Sequence, residues 1–459
     1  MLSRSPANWR RNLSGCESRA LLTAPGVTLV FTAGGAAHPQ TIDGFSNSSI
    51  RVIDITDPSS PQEEAGAVER GSSGYQVTVE TAGAGTRTLL AFTSEQTKHP
   101  VRIDANQPSN LRSDSNGADL VVLTRNQFAS ALGPLVQLRQ KQGLSVKLVD
   151  VEDVFDEFSY GEKSPQAVKD FLQYAETSWK NKPRFVLIGG AGSFDPKGYL
   201  GVADADPVAT RLIDTTLMET ASDDWFVDFD GNGLPQLAIG RLPFRSESEA
   251  AVMVAKIVSY EQAAPSDEVM LVADRNDGFN FESASAALDG LMPANLRINH
   301  INRGALDGES ARTQLLEALN RGQKLVNYTG HGNVDQWRGD LLNSADAQRL
   351  ANGERLSVFV MMTCLNGYFE DPVLRSLAEE LMRSERGGPV AVWASDGMTY
   401  PQDQVAINQQ LYRLLFAASD QKVQAMTLGE ATRRAKAATA DPDVRRTWVL
   451  FGDPTMRIR

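Results

Sequence analysis

The chain has 459 residues, 41% of them apolar and 22% charged, the make-up of a soluble globular protein with room for two or three domains. Its formal charge of −12 argues against nucleic acid or an anionic membrane as partner, because both demand basic surface. No apolar run approaches the ~20 residues of a membrane-spanning helix, and two cysteines, Cys16 and Cys364, make no disulfide framework.

Residues 1–112 read as β-rich. Strand-like runs at 27–32, 50–55, 75–80 and 87–92 are separated by Gly, Pro, Ser and Asp turns, and no helical period of useful length intervenes. This is the pattern of part of a β-sandwich, with earlier strands expected ahead of it. Cys16 sits in a polar stretch and reads as incidental. His38 and His99 lie in turn-like settings with no second ligand at metal spacing, so both read as surface residues. Residues 107–117 read as a linker.

From Asp119 the pattern changes to alternating strands and helices. A buried run at 120–123 precedes a helix with apolar positions Phe128, Leu132, Leu135, Val136 and Leu138, closed by Gly143. A strand at 146–149 follows. Ser164 and Pro165 then open a helix carrying Val168, Phe171, Leu172 and Ala175, and a third strand spans 185–188. This βαβαβ order predicts a parallel, doubly wound sheet over a first α/β sub-domain at 119–264. Gly190 to Asp195 has glycines after a strand but lacks the third glycine and the helix start of a dinucleotide loop.

Asp228, Asp230 and Asn232, with Gly233 at the sixth position, resemble the start of a calcium loop. Position twelve is Ile239 rather than Glu, and 235–239 reads as a strand. An acidic turn is the plainer reading, and a structural calcium the alternative; no other cofactor is expected. A second α/β sub-domain, 267–459, begins at the strand 269–273. It continues with strands at 296–300, 324–328, 358–362 and 390–393 and helices near 408–416 and 423–437. His300 ends one of these strands and reads as structural.

Two strands in this half share one construction. Leu325 to Tyr328 runs into Thr329-Gly330-His331-Gly332, and Val358 to Met362 runs into Thr363-Cys364-Leu365-Asn366-Gly367. In open α/β sheets the ligand crevice lies outside the carboxyl ends of the strands, so neighbouring strands would set an imidazole beside a thiol. The imidazole can raise the thiolate fraction and later protonate a leaving amine. Taken singly, a Cys or a His at a strand end is more often a packed or satisfied residue; the matched pair is the signal. The amides of Gly332 and Cys364 could bind an oxyanion. Cys364 is expected to be partly ionised, labelling with iodoacetamide near pH 6 ahead of Cys16.

His331 followed 33 residues on by Cys364 resembles the catalytic dyad of the gingipain-type cysteine peptidases, which have a caspase-like fold. Similarity extends to Gly143–Gly161, Phe185–Asp195, Ser222–Pro243 and Leu450–Arg459, covering about residues 119–459. The resemblance implies two adjacent gingipain-like sub-domains behind a β-sandwich-like region and a cysteine endopeptidase acting on proteins or peptides. It makes Cys364 the nucleophile and His331 the general base and acid. It also assigns a functional acid to Asp223, either orienting His331 or flooring the pocket for a basic P1 side chain. Thr329, Met362 and Trp393 are candidate pocket residues, or core. Such enzymes are exported, yet Met1 to Pro6 shows no apolar signal core, as if the start were mis-set or truncated. A transpeptidase or sortase-like surface enzyme with the same dyad, and a non-catalytic binding module on the same scaffold, are the other readings.

Overall fold

The computed structural model describes residues 22–26, 28–34, 39–80, 85–100, 108–202, 205–416 and 425–459. Cys16, His38, residue 107 of the expected linker and the first two residues of the helix expected at 423–437 lie outside them. The chain divides into two compact units, Met1–Ala105 and Asn106–Arg459.

The first unit is built from two four-stranded sheets. One orders Leu22–Gly26, Pro39–Phe45, Gly74–Glu80 and Gly66–Gly71; the other orders Thr28–Ala33, Arg87–Thr93, Ile50–Asp54 and Gln62–Glu64. Arg87–Thr93 buries alternate residues, Leu89, Ala91 and Thr93, as a half-covered strand must. Ile42, Phe45, Val77 and Val79 from one sheet share a core with Phe31, Val52, Leu89 and Ala91 from the other. That shared core makes the unit a sandwich. His99 is exposed.

The second unit is organised by one ten-stranded sheet. Its strands in chain order are β1 (Leu120–Thr124), β2 (Val146–Asp150), β3 (Phe185–Gly189), β4 (Ala238–Leu242), β5 (Glu268–Ala273), β6 (Arg297–Asn302), β7 (Leu325–Thr329), β8 (Ser357–Met362), β9 (Pro389–Ser395) and β10 (Trp448–Phe451). Their spatial order is β2-β1-β3-β4-β10-β9-β8-β7-β5-β6. Seven of them, β1, β3, β4, β7, β8, β9 and β10, are buried at every residue, which is why most read as apolar runs rather than alternating ones.

Both halves of the sheet are internally parallel. β10 pairs parallel with β4 and antiparallel with β9, so the carboxyl ends of the two halves lie at opposite rims. The two sub-domains read from the sequence therefore share a sheet, closed by the last strand of the chain returning to the first half.

The helices follow the expected spacing. α1 (Ala129–Lys141) ends before Gly143, whose φ of +90° is the left-handed geometry glycine adopts without steric cost. α2 (Pro165–Ser178) has Pro in its first turn, and α3 (Glu247–Gln262) is capped by the Ser246 hydroxyl. Four further helices are α4 (Phe281–Ala286), α5 (Gly308–Arg321), α6 (Leu377–Arg383) and α7 (Pro401–Phe416). The helix expected at 423–437 is α8 (Leu428–Ala435), opened by a Thr427–Glu430 capping box. The strand expected at 235–239 begins later, at Ala238. Gln236 is held back because its side chain closes the preceding loop, accepting from the Phe229 amide and donating to Asp230.

Candidate active site

β7 and β8 are hydrogen-bonded neighbours with Thr329 opposite Met362, and the Gly330 amide donates to the Met362 carbonyl at 3.2 Å. His331 and Cys364 each stand two residues beyond those paired ends, at the same rim. The loops they begin touch closely: a Cβ on Gly332 would lie 2.7 Å from Thr363 Oγ1, closer than real contacts allow, so this position needs glycine. Asn366 ties the two loops together, its Nδ2 donating to the Asn333 carbonyl at 2.6 Å.

Cys364 is followed by a sharp reversal. Leu365 has φ +63° while the Asn366 amide donates to the Cys364 carbonyl at 2.8 Å, a γ-turn centred on a non-glycine residue. Such a conformation costs on the order of 1–3 kcal/mol and marks a position whose surroundings hold it there. The Cys364 thiol donates to the Thr399 carbonyl at 3.4 Å, and burial pushes its pKa up. Desolvation favours the neutral form, which runs against the expectation of a partly ionised thiol. Among the described residues, no acceptor takes the Gly332 or the Cys364 amide, which leaves both N–H groups for an oxyanion.

The imidazole of His331 is 44% exposed, its Nε2 lies 3.1 Å from Asp277 Oδ2, and its ring meets the Phe281 ring edge-on at 5.1 Å. With Nε2 on the carboxylate, Nδ1 is the ring nitrogen available to a second partner. The backbone is fixed as well: Tyr328 Oη and the Arg338 amide both donate to the His331 carbonyl, at 2.7 and 2.8 Å. Asp277 follows β5, the strand beside β7. Its carboxyl is held below the usual carboxylate range first by the Arg338 guanidinium, which donates to the same Oδ2 at 2.6 Å. The rule that sites lie beyond strand carboxyl ends could have directed attention to it.

Asp223 is elsewhere. Both its oxygens accept from Arg241 of β4, at 2.6 and 2.8 Å; the aspartate is 3% exposed and the arginine 0%. Asp223 makes no bond to His331, and an internal cation already occupies its charge. The pocket candidates are core as well. The Thr329 hydroxyl donates to Asn327, which bonds Asn408; Met362 is buried; and Trp393 packs on Trp448 at 6.3 Å. Strands covered on both faces leave no side open to a substrate. His300 pairs with Asp289 at 3.2 Å.

The acidic loop is closed on itself. Asp228 accepts from the Asn232 and Gly233 amides, Asp230 from Gln236, and Asn232 from the Leu234 amide. Among the described residues no three Asp, Glu, His or Cys side chains gather as a metal site. With these oxygens already turned to donors of their own loop, the arrangement does not fit a calcium ion.

Residues 113–459 match peptidase family C25. Gingipain R2 from Porphyromonas gingivalis is 20% identical over 363 residues, 74% of this chain and 46% of its own length. Lys-gingipain W83 from the same organism is 23% identical over 218 residues, 46% of this chain and 12% of its own. The chain thus spans less than half the length of the curated relatives it matches. The crystal structure of the Arg-specific cysteine proteinase gingipain R superposes with a TM-score of 0.63 at 19% identity, covering 77% of this chain and 80% of that one. No helix among the described residues is long and apolar enough to cross a membrane. With three quarters of its length matched and the imidazole and thiol at adjoining strand ends, the chain belongs to peptidase family C25.

Proposed function

We propose that the protein is a cysteine endopeptidase. Cys364 Sγ attacks the scissile carbonyl while His331 Nδ1 withdraws its proton, and the imidazolium then protonates the leaving amine. Water, deprotonated by the same imidazole, releases the acyl group. The Gly332 and Cys364 amides stabilise the oxyanion, and Asp277 orients the ring and balances the imidazolium charge. The observation that carries this reading is the register of β7 and β8, which brings His331 and Cys364 to one rim. The Arg241 partner of Asp223 leaves that carboxylate no charge for a basic P1 group, so P1 preference is set by other residues. By family likeness we also infer an exported or surface location, which fractionation of producing cells tests.

Digestion of a peptide library, read by mass spectrometry, tests the activity. Cleavage by the parent protein and none by Cys364→Ala is expected. Ligated products appearing when an amine acceptor is supplied would make the enzyme a transpeptidase instead. Binding of the library without any cleavage would leave a non-catalytic module.

A further inference from the structure

Asp277 is 40% exposed and belongs to the segment after β5 rather than to a strand or helix. An exposed carboxylate in such a place holds an imidazole poorly, because water competes for it and rotamer freedom is lost on ordering. Its partner Arg338 is held much more firmly. Arg338 Nε lies 2.7 Å from Asp274 Oδ2, Nη1 donates to Asp277 Oδ2 at 2.6 Å, and Nη2 donates to the Arg275 carbonyl at 2.7 Å. One rigid guanidinium thus fastens three residues of the segment, a geometry its planar fork suits and a lysine cannot reproduce.

The backbone of Arg338 is fixed from the other side. Its amide donates to His331 and its carbonyl accepts from Arg303 at 2.7 Å. The preceding residue, Trp337, is fully buried and stacked on Tyr328 at 4.1 Å. Asp274, itself 1% exposed, also accepts from the His331 amide at 3.2 Å. The backbone of His331 and the acid at its ring are therefore each tied to the same arginine.

We propose that Arg338 is a positioning residue for His331, clamping Asp274 and Asp277 so that Asp277 stays on the imidazole. This rests on His331 being the general base and acid. Arg338 touches no reacting atom and acts through Asp277. Its positive charge also offsets part of the carboxylate field at the ring. Other charged or titratable groups on the surrounding elements are Arg275 after β5, Glu282 on α4, Arg303 after β6 and Tyr328 on β7.

The test is a double-mutant cycle of Arg338→Ala and Asp277→Ala in the full chain, with Arg338→Lys as a gentler variant and melting temperatures as a folding control. Each single alanine should lower kcat roughly 10- to 100-fold with KM nearly unchanged, and the double variant should be no worse than either. Arg338→Lys should recover part of the loss. Multiplying losses would mean that Arg338 acts independently of Asp277 and would overturn the proposal. A second readout needs no turnover: nitrogen NMR of the His331 ring in Cys364→Ala protein, which reports its tautomer. With the clamp intact the Nε2 side should stay on Asp277 and one tautomer should dominate, and Arg338→Ala should mix the two tautomers as Asp277→Ala does. A tautomer unchanged by Arg338→Ala would sink the clamp even if the peptidase reading stood. An inert parent protein with the clamp intact would sink the peptidase reading alone.

Discussion

Two aspartates, each paired with an arginine, stand in opposite halves of the sheet and have opposite characters. Asp223 and Arg241 are sealed, 3% and 0% exposed, with both carboxylate oxygens used and the guanidinium lying 4.4 Å over the Phe369 ring. Asp277 and Arg338 are 40% and 36% exposed, and the shared Oδ2 still reaches His331. Residue type is the same in the two pairs. Exposure, and a carboxylate oxygen that still accepts a third group, separate the two. A buried carboxylate must be neutralised inside the fold, so it has nothing left for a substrate; a half-exposed one can be shared.

The largest effect should come from the open rim. Cys364→Ala should cost at least ~10⁴-fold in kcat/KM while leaving the melting temperature near that of the parent, since among the described residues the thiol's one hydrogen bond is a weak one to Thr399. Peptide hydrolysis and thermal melts on the same preparation check both halves of that statement.

On the sealed side the balance should reverse. Asp223→Asn leaves a buried guanidinium without its charge partner, and breaking such a pair costs on the order of 3–5 kcal/mol. Denaturant titration should show this loss. Any fall in activity should be equal for basic and neutral P1 residues. A selective loss after Arg or Lys would return Asp223 to the substrate pocket and end the contrast drawn here.

Between these extremes lies a buried pair of acids, Glu370, on the segment that leaves Cys364, and Asp396. Glu370 Oε1 accepts from the Ala221 amide, and the Thr220 hydroxyl lies within bonding distance of both carboxylates, while Glu370 Oε2 has no donor among the described residues. Burial pushes Glu370 up to about 7, and burial with the neighbouring Glu370 charge holds Asp396 well above the usual range. Because the folded state then binds more protons than the unfolded chain, stability should fall as pH rises from the ordinary carboxyl range of ~4 through about 7. Glu370→Gln keeps the shape and removes that charge. It should flatten the slope and raise stability at pH 8 by about 1–3 kcal/mol, read from denaturant midpoints across pH. A parallel slope in the variant would remove this pair as its cause.

The smallest expected effect concerns the loop at Asp228, Asp230 and Asn232. Its oxygens are satisfied by their own loop, so EGTA should not move the melting temperature, whereas a folded-state calcium would make it fall. A clear drop on chelation, restored by calcium, would show a site that these hydrogen bonds conceal.

Much of this was legible in the residue pattern. The buried runs marked the strands now seen as β1, β3, β7, β8 and β9, because a strand covered on both faces must be apolar throughout. The matched ends at His331 and Cys364 could be read because strand direction and the carboxyl-end rule are local properties. Asp223 misled for a definite reason: an aspartate shows its charge in sequence but not the partner that has already taken it. Asp277 was passed over because nothing beside it in the chain marks it; His331 lies 54 residues away.

Sequence alone determined the fold class, the β-rich first region, the alternation of strands and helices from Asp119 onward, and the two side chains at the rim. These follow from hydrophobic periodicity and turn chemistry, which act over a few residues. Tertiary structure decided the strand order, with β10 closing one sheet from two halves, and decided which carboxylate stands by the imidazole. Both depend on which distant groups meet, and the energy of a charge is set by its surroundings more than by its neighbours in the chain.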